Sequence, residues 1–428
     1  MKTIKIGFLG LGVVGSELVS IIQNNREQMR ERYGIDLEPG KIFVQNPEKK
    51  RSIDTTGLHL TTNAYDIIND KKIDIICECI GGAGTERTRE YIVKAIENGK
   101  SVVLSSKKVL ALYGMEILEL ASNYNAAVKF DATVGGGIPV AKIIKECFKG
   151  EKIKKVIGIL NATSNFIYSK MEKEGLTFED ALKKAQELGY AENDPSEDIN
   201  GFDALYKTVI LVLFSMKKWV DIKKVRTTPF SDINVQDMKY ARELGYQIKP
   251  LAIAEIGDAL IYRVGPCLIR DSHIAANTFN NNNIIVFEGT NSGTLGFYGQ
   301  GAGSKPTASA MFDDLIGITA QYLNGRLDFF GSELYNGIKA ADNLQEYENN
   351  LYWRISVDNK IGRFAFIASV MAENAVNIEK IIQKEEVQGR MGIVLLTSSV
   401  NTETINRISA AFETNSIIIH TILPFLEE

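Results

Sequence analysis

The sequence predicts an α/β chain in three parts. A discontinuous dinucleotide-binding domain with a parallel sheet comes first, an α+β domain follows, and a domain of ferredoxin-like order closes the chain. Three observations carry this reading. The glycine-rich turn Gly10-Leu11-Gly12-Val13-Val14-Gly15 stands between an apolar strand pattern and a helix pattern. Strand and helix patterns then alternate as far as residue 134, which implies a parallel sheet with crossover helices. From residue 352 to 425 the order is β-α-β-β-α-β.

Taken in order, Thr3 to Leu9 is apolar enough for a buried strand, and Glu17 to Gln23 reads as a helix. Lys41 to Gln45 is a second strand. Ile73 to Ile80 is a third, stopped by Gly81-Gly82. Arg87 to Asn98 is an amphipathic helix with Gly99 as its cap. Ser101 to Leu104 is a fourth strand. Near residue 135 the pattern changes. Lys152 to Leu160 is a strand, Phe178 to Leu188 a helix ended by Gly189, and Gly201 to Lys217 a longer helix. Strand-like stretches follow at Leu251 to Leu268 and Ile284 to Gly289. A helix from about Ser309 to Asn324 returns the chain to the first domain. The expected division is therefore 1–134 plus about 305–330, then 135–304, then 350–428. The last part, after the polar stretch Asp342 to Asn350, has strands at 352–357, 378–383, 391–398 and 417–422 and helices at 364–373 and 404–412.

Composition narrows the function. A net charge of -4 supplies no basic surface for a polyanion, so nucleic acid is not an expected partner. The four cysteines, Cys77, Cys79, Cys147 and Cys267, are too scattered for a disulfide framework and lack CxxC spacing. Cys77 and Cys79 alternate in a strand, so both point one way and read as buried and reduced. His59, His273 and His420 form no metal-ligand pattern. Met1-Lys2-Thr3-Ile4 leads straight into a strand, and no apolar run reaches the ~18–20 residues that span a bilayer. The expectation is a cytoplasmic protein that does not contact membranes.

The glycines have separate physical tasks. Gly10 permits the tight turn, Gly12 lets a pyrophosphate approach the backbone, and Gly15 lets the helix pack close to the strand. The pyrophosphate then meets free N–H groups at a helix N-terminus. This is the Rossmann arrangement. An acidic residue at the end of the second strand would select NAD, and a basic one NADP. Gln45 and Asn46 are neither. Lys49, Lys50 and Arg51 follow within reach of a 2′-phosphate, which inclines the reading towards NADP and leaves NAD open.

Further motifs resemble homoserine dehydrogenase along nearly the whole chain. They are Cys77-Glu78-Cys79-Ile80-Gly81-Gly82; Val102-Val103-Leu104-Ser105-Ser106-Lys107; Asp131-Ala132-Thr133-Val134-Gly135-Gly136-Gly137-Ile138-Pro139; Gly189-Tyr190-Ala191-Glu192-Asn193-Asp194-Pro195 with Asp198-Ile199-Asn200-Gly201-Phe202-Asp203 and Lys207; and Gly299-Gln300-Gly301-Ala302-Gly303 with Pro306-Thr307-Ala308-Ser309-Ala310. The resemblance implies interconversion of L-aspartate 4-semialdehyde and L-homoserine with NAD(P)H, in the synthesis of threonine and methionine. Hydride attack on an aldehyde builds an alkoxide, which needs a proton and charge stabilisation, and lysine suits both. Lys207 lies four residues after Asp203, so the two share a helical face. The resemblance makes Lys207 the proton donor and Asp203 and Glu192 substrate ligands. Lys107, after the fourth strand, stands where ligands bind in such sheets and is expected near the nicotinamide and the substrate. Gly189 and Gly303 are expected against the cofactor.

The same resemblance implies a monovalent cation, usually sodium, on the Asp131 carboxylate and the carbonyls of Val134, Gly136 and Ile138. Three positions depart from the family pattern. Asp131 stands for glutamate, Ala162 for the glycine of Asn-Gly-Thr, and Gln45 for an arginine. Since alanine resists positive φ, the Asn161-Ala162-Thr163 turn is expected to differ. Residues 352–425 resemble an ACT domain, with Asn359 and Ile361 departing from its loop and Gly362 retained. That implies a threonine effector, or a domain kept for oligomerisation, and a homodimer or homotetramer. Two other functions fit the residues less well. Aspartate-semialdehyde dehydrogenase needs an activated cysteine, and Cys147 has no histidine in its sequence neighbourhood. A non-catalytic amino-acid or redox sensor would not need Lys207 and Asp203.

Overall fold

The computed structural model describes residues 2–80, 84–324, 338–341, 343–346, 349–387 and 389–426. The expected stop at Gly81-Gly82, residues 325–330 of the expected return segment, and Asp342 lie outside these. The N-terminal part runs β1 (Lys2–Leu9), α1 (Val13–Asn24), α2 (Arg26–Tyr33), β2 (Ile35–Phe43), β3 (His59–Thr61), α3 (Tyr65–Ile68), β4 (Ile75–Glu78), α4 (Thr85–Glu97), β5 (Ser101–Leu104), α5 (Lys107–Asn123), β6 (Val128–Lys129) and α6 (Val140–Cys147). The strands form a parallel sheet in the order β3-β2-β1-β4-β5-β6. The chain winds outwards from β1 to β3 and then crosses back to β4. The carboxyl ends of β1 and β4 are therefore where the order reverses, the place such sheets bind ligands.

The second strand begins earlier than expected and stops at Phe43, so Gln45 lies beyond it. Pro39-Gly40 in its middle reads as a breaker, but it falls at a register shift opposite Ile6 and Phe8, and β3 covers only Lys41 to Phe43. A proline is tolerated there because the neighbouring edge is open. Cys77 and Cys79 are both buried in one core, as their spacing predicts.

After α6 come β7 (Ile153–Ile159), α7 (Ala162–Glu174), α8 (Phe178–Glu187), α9 (Ser196–Ile199), α10 (Phe202–Met216), β8 (Lys218–Trp219), α11 (Val235–Glu243), β9 (Tyr246–Ile256), β10 (Leu260–Arg270), β11 (Asn282–Gly289), β12 (Gly293–Gln300) and α12 (Ser304–Asn324). The helix α12 packs on the N-terminal sheet. Ala308, Met311, Phe312, Leu315 and Ile318 of α12 share one core with Ile4, Ile6 and Phe8 of β1 and Leu18, Val19 and Ile22 of α1. The helix starts at Ser304, so Pro306 sits in its first turn, where its missing N–H costs nothing. Leu251 to Leu268 is a hairpin of two antiparallel strands, β9 and β10, turning at Gly257 to Ala259.

The chain closes with β13 (Lys339–Ala340), β14 (Leu344–Glu346), β15 (Asn349–Asp358), α13 (Arg363–Glu373), β16 (Ile378–Val387), β17 (Arg390–Val400), α14 (Thr402–Thr414) and β18 (Ile418–Leu426). From β15 onwards this is the expected β-α-β-β-α-β, antiparallel in the order β18-β15-β17-β16 over a core of Trp353, Ile355, Ile367, Ile393, Ile408 and Phe412. By packing, the chain divides into two compact units, Met1–Val156 with Leu205–Val225 and Asn283–Asn343, and Ile157–Ala204 with Arg226–Asn282 and Leu344–Glu428. The C-terminal segment joins the second unit because β18 also pairs with β10, at Leu268↔Phe425 and Ile269↔Leu426. Buried Asp237 of α11 strengthens that union, accepting hydrogen bonds from Tyr352, Arg354 and Thr421.

Candidate active site

The glycine turn begins where β1 ends. Gly10 has φ +108°, and its N–H donates to the Phe43 carbonyl at 3.0 Å. A Cβ there would stand 2.6 Å from the Cys79 carbonyl oxygen, so only glycine fits between β1 and the end of β4. A Cβ on Gly15 would come 2.6 Å from the Gly10 carbonyl oxygen, which is why α1 can lie so close to the turn. A Cβ on Gly12 would meet nothing within 4 Å, so the backbone there is open to a ligand. Gly12 is also the N-cap of α1, and no side chain satisfies that helix end. The first N–H groups of α1 thus form an anion cradle. Leu11 is buried, Val14 half-buried and Val13 exposed at the turn. These residues fit the pyrophosphate of a dinucleotide.

Of the three basic residues after β2, Arg51 is drawn back to the turn. Its Nε donates to the Leu11 carbonyl at 3.3 Å, and its Nη2 to the Asn46 carbonyl at 2.7 Å. Lys49 and Lys50 are exposed.

The next functional group was not read from the sequence. Glu78 is fully buried at the end of β4, and its carboxylate accepts the N–H groups of Ile80, Ser105 and Ser106 at 2.8, 3.2 and 2.8 Å. Ser105 Oγ donates back to the Glu78 carbonyl at 2.9 Å. These bonds tie the carboxyl ends of β4 and β5 together on the ligand side of the sheet. Burial outweighs the three N–H donors and pushes the Glu78 carboxyl up to about 7. Lys107, half-buried, is the next residue after this clasp and the first of α5. The available signal was a lone carboxylate inside an apolar strand.

The second cluster centres on Asn161, which is 3% exposed and stands between β7 and α7. Its Oδ1 accepts the Ser164 N–H at 2.7 Å and caps α7. Its Nδ2 donates to Asp198 Oδ1 at 2.6 Å and to Asp203 Oδ2 at 2.9 Å. Ala162 is the first residue of α7 and has no positive φ, so the expected distortion is absent: a helical residue does not need glycine's freedom. Asp203 and Lys207 lie one turn apart on α10, with only 4% and 7% of their surfaces exposed. Glu192 is exposed, in the segment between α8 and α9. Its carbonyl accepts from Gln186 Nε2 at 3.1 Å, and the Tyr190 carbonyl from Thr163 Oγ1 at 2.7 Å. Gly189 has φ +75° and nothing within 4 Å of a Cβ. Gly303, φ +129°, leads into α12, the helix packed on α1.

Two members of the carried-over cation set already accept hydrogen bonds from the chain. Asp131 Oδ1 accepts the Lys142 N–H at 3.0 Å, and the carboxylate also bonds the Ala141 N–H, so it caps the N-terminus of α6. Its own N–H donates to Asp314 Oδ2 at 2.9 Å, beside a cavity of about 100 Å³ lined by Lys129, Lys142, Lys145 and Glu146. Burial raises both the Asp131 and Asp314 carboxyls and lowers Lys129. The Ile138 carbonyl is taken by the Val140 N–H at 2.7 Å. A cation on Asp131 would compete with the positive end of a helix for a carboxylate one methylene shorter than the family's. Val134 is buried, and Gly136 (φ +57°) would place a Cβ 2.7 Å from the carbonyl carbon of Gly301, so the loop itself needs its glycine.

Known proteins match this chain along most of its length. Residues 10–131 match the profile described as homoserine dehydrogenase, NAD binding domain, and residues 139–316 the profile described as homoserine dehydrogenase. The homoserine dehydrogenase of Bacillus subtilis (strain 168) is 36% identical, covering 90% of this chain and 88% of that protein. That of Pseudomonas aeruginosa is 35% identical, over 96% of each. The crystal structure of a homoserine dehydrogenase from Thiobacillus denitrificans superposes with a TM-score of 0.90 at 33% identity, covering 100% of this chain and 99% of that one. A hyperthermophilic archaeal homoserine dehydrogenase in complex with NADPH is more distant, with a TM-score of 0.61, 26% identity, and 75% and 98% coverage.

Proposed function

The chain belongs to the homoserine dehydrogenase family, and from that premise we propose which of its residues carry the chemistry. The activity is NAD(P)H-dependent reduction of L-aspartate 4-semialdehyde to L-homoserine, an oxidoreduction at a CH–OH group. The dinucleotide, when bound, supplies or accepts the hydride. The open N–H groups at the start of α1 hold its pyrophosphate, with Gly189 and Gly303 as further backbone neighbours. Asp203 and Glu192 hold the substrate's ammonium. Lys207 gives its proton to the aldehyde oxygen as the alkoxide develops, and Lys107 adds positive charge beside the nicotinamide.

The observation that carries this reading is the buried pair on α10. A surface ion pair one helical turn apart is common, but Asp203 and Lys207 are almost fully removed from water. Burying charges costs several kcal/mol each, and such groups are retained mostly where chemistry needs them. Replacing Lys207 with alanine is therefore expected to lower turnover by roughly a hundred- to ten-thousandfold, the usual contribution of a general acid. NADPH binding, followed by its fluorescence, stays near the wild-type level. A Lys207→Ala enzyme with normal turnover sinks the assignment.

Three finer readings accompany it. Arg51, anchored on the Leu11 carbonyl, favours NADPH over NADH through a 2′-phosphate. Arg51→Ala should then raise KM for NADPH about tenfold or more and leave KM for NADH nearly unchanged. The C-terminal segment is an ACT-type module for threonine. The protein works in the cytoplasm as a homodimer or homotetramer, which light scattering after size exclusion distinguishes from a monomer. Among the described residues no helix is long and apolar enough to cross a membrane.

A further inference from the structure

Resting on the assignment of Asp203 to the substrate, we propose that Asn161 is a positioning residue, whose single amide group fixes the carboxylates of Asp198 and Asp203 side by side for recognition of the ammonium. The amide cannot be turned round. Its oxygen is needed by the Ser164 N–H at the start of α7, so both hydrogens of Nδ2 must point the other way, at the two carboxylates. Asp198 is itself held from behind, because Ser164 Oγ donates to its carbonyl at 3.1 Å. The start of α7, the end of α9 and the start of α10 thus meet on one side chain. A neutral amide satisfies one oxygen of each aspartate without cancelling either charge. Two carboxylates held side by side present their acceptor oxygens to a cationic group. Asn161 does this without touching the substrate, so it acts through Asp203.

Capping and clasping are separable. Serine and aspartate cap helices about as well as asparagine, so Asn161→Ser and Asn161→Asp keep α7 capped. Serine is too short to reach both carboxylates, and aspartate adds a third negative charge in place of the donors. Both variants should raise KM for homoserine by on the order of ten- to a hundredfold, the cost of losing a hydrogen bond to a charged group. Aspartate should do so more than serine. Turnover at saturating substrate and NADPH binding should change by less than about threefold if only positioning is lost. An unchanged KM in these variants overturns the proposal, and so does a parallel fall of turnover and NADPH binding, which marks a merely structural role. Should neither variant fold, Asp198→Asn, which leaves the cap intact, must raise KM, and an unchanged KM again overturns it. Asp203→Asn separates the two levels of inference. If it leaves KM unchanged, the substrate assignment itself fails. If it raises KM while the Asn161 variants do not, only the role of Asn161 fails.

Discussion

Glu78 is a single residue whose cost can be followed with pH. Its carboxyl is pushed from 4.5 to about 7 by burial, so folding favours its protonated form. Its contribution to stability is fully present below pH 4.5 and is lost as pH rises through 7. The linked free energy is roughly 3 kcal/mol. In Glu78→Gln this titration disappears. The stability of the wild type relative to that variant, from urea unfolding, should therefore fall by roughly 3 kcal/mol between about pH 5 and pH 8. A difference that stays constant across the range would show that the carboxylate is not strained by its burial. Asp131 supports a second prediction at this scale. Its Oδ1 already accepts from the first turn of α6, so replacing sodium in the assay with tetramethylammonium at constant ionic strength should change turnover by less than about twofold. Both residues show why sites are only partly legible. The glycine turn announces itself by spacing, whereas the i, i+4 spacing of Asp203 and Lys207 alone reads as a surface ion pair and only the family resemblance singles them out. Glu78 and Asn161 act through hydrogen bonds to backbone and side chains that are distant in sequence, and no local pattern encodes those.

At the scale of elements, the turn between β1 and α1 separates two uses of glycine. Gly12 has φ -79° and open space around it, so alanine fits the folded protein and obstructs only a ligand. Gly15 has the Gly10 carbonyl oxygen 2.6 Å from where a Cβ would be. Gly12→Ala should keep its folding stability to within the few tenths to ~1 kcal/mol of an N-cap change while losing NADPH affinity about tenfold or more. Gly15→Ala should lose stability outright, by about 1–3 kcal/mol as overpacking does. Equal stability losses in the two variants would refute this division of labour. The elements found from sequence were those with a clear period. β5 was placed to the residue, and α4, α8 and α10 to within two. α7 was missed because its polar residues Thr163, Ser164, Asn165 and Ser169 are buried along with Phe166, Ile167 and Tyr168, so polarity does not mark an outward face. α11 was missed although its Asn234-x-x-Asp237 capping box is a local signal.

At the scale of the whole molecule, the order of parts was legible and their union was not. Alternating βα units and the β-α-β-β-α-β tail each follow from local periodicity. The pairing of β18 with β10 brings together residues far apart in the chain, and the bonds to Asp237 do the same. That union gives the C-terminal segment a physical route to the rest of its unit. A ligand bound to the ferredoxin-like segment can bias β15 and β18, and through Arg354 and Thr421 the position of Asp237 and α11. An effector shifts an equilibrium only by its differential affinity for two states. If threonine binds the native segment, its thermal midpoint must rise with threonine concentration by mass action. Turnover in the 340 nm assay should fall over the same concentration range. Asp237→Asn weakens the bonds from Arg354 and Thr421 and should reduce the inhibition while the shift in thermal midpoint remains. If threonine moves neither turnover nor midpoint in the wild type, the segment serves assembly instead, and truncation after Asn343 should then change the oligomeric state.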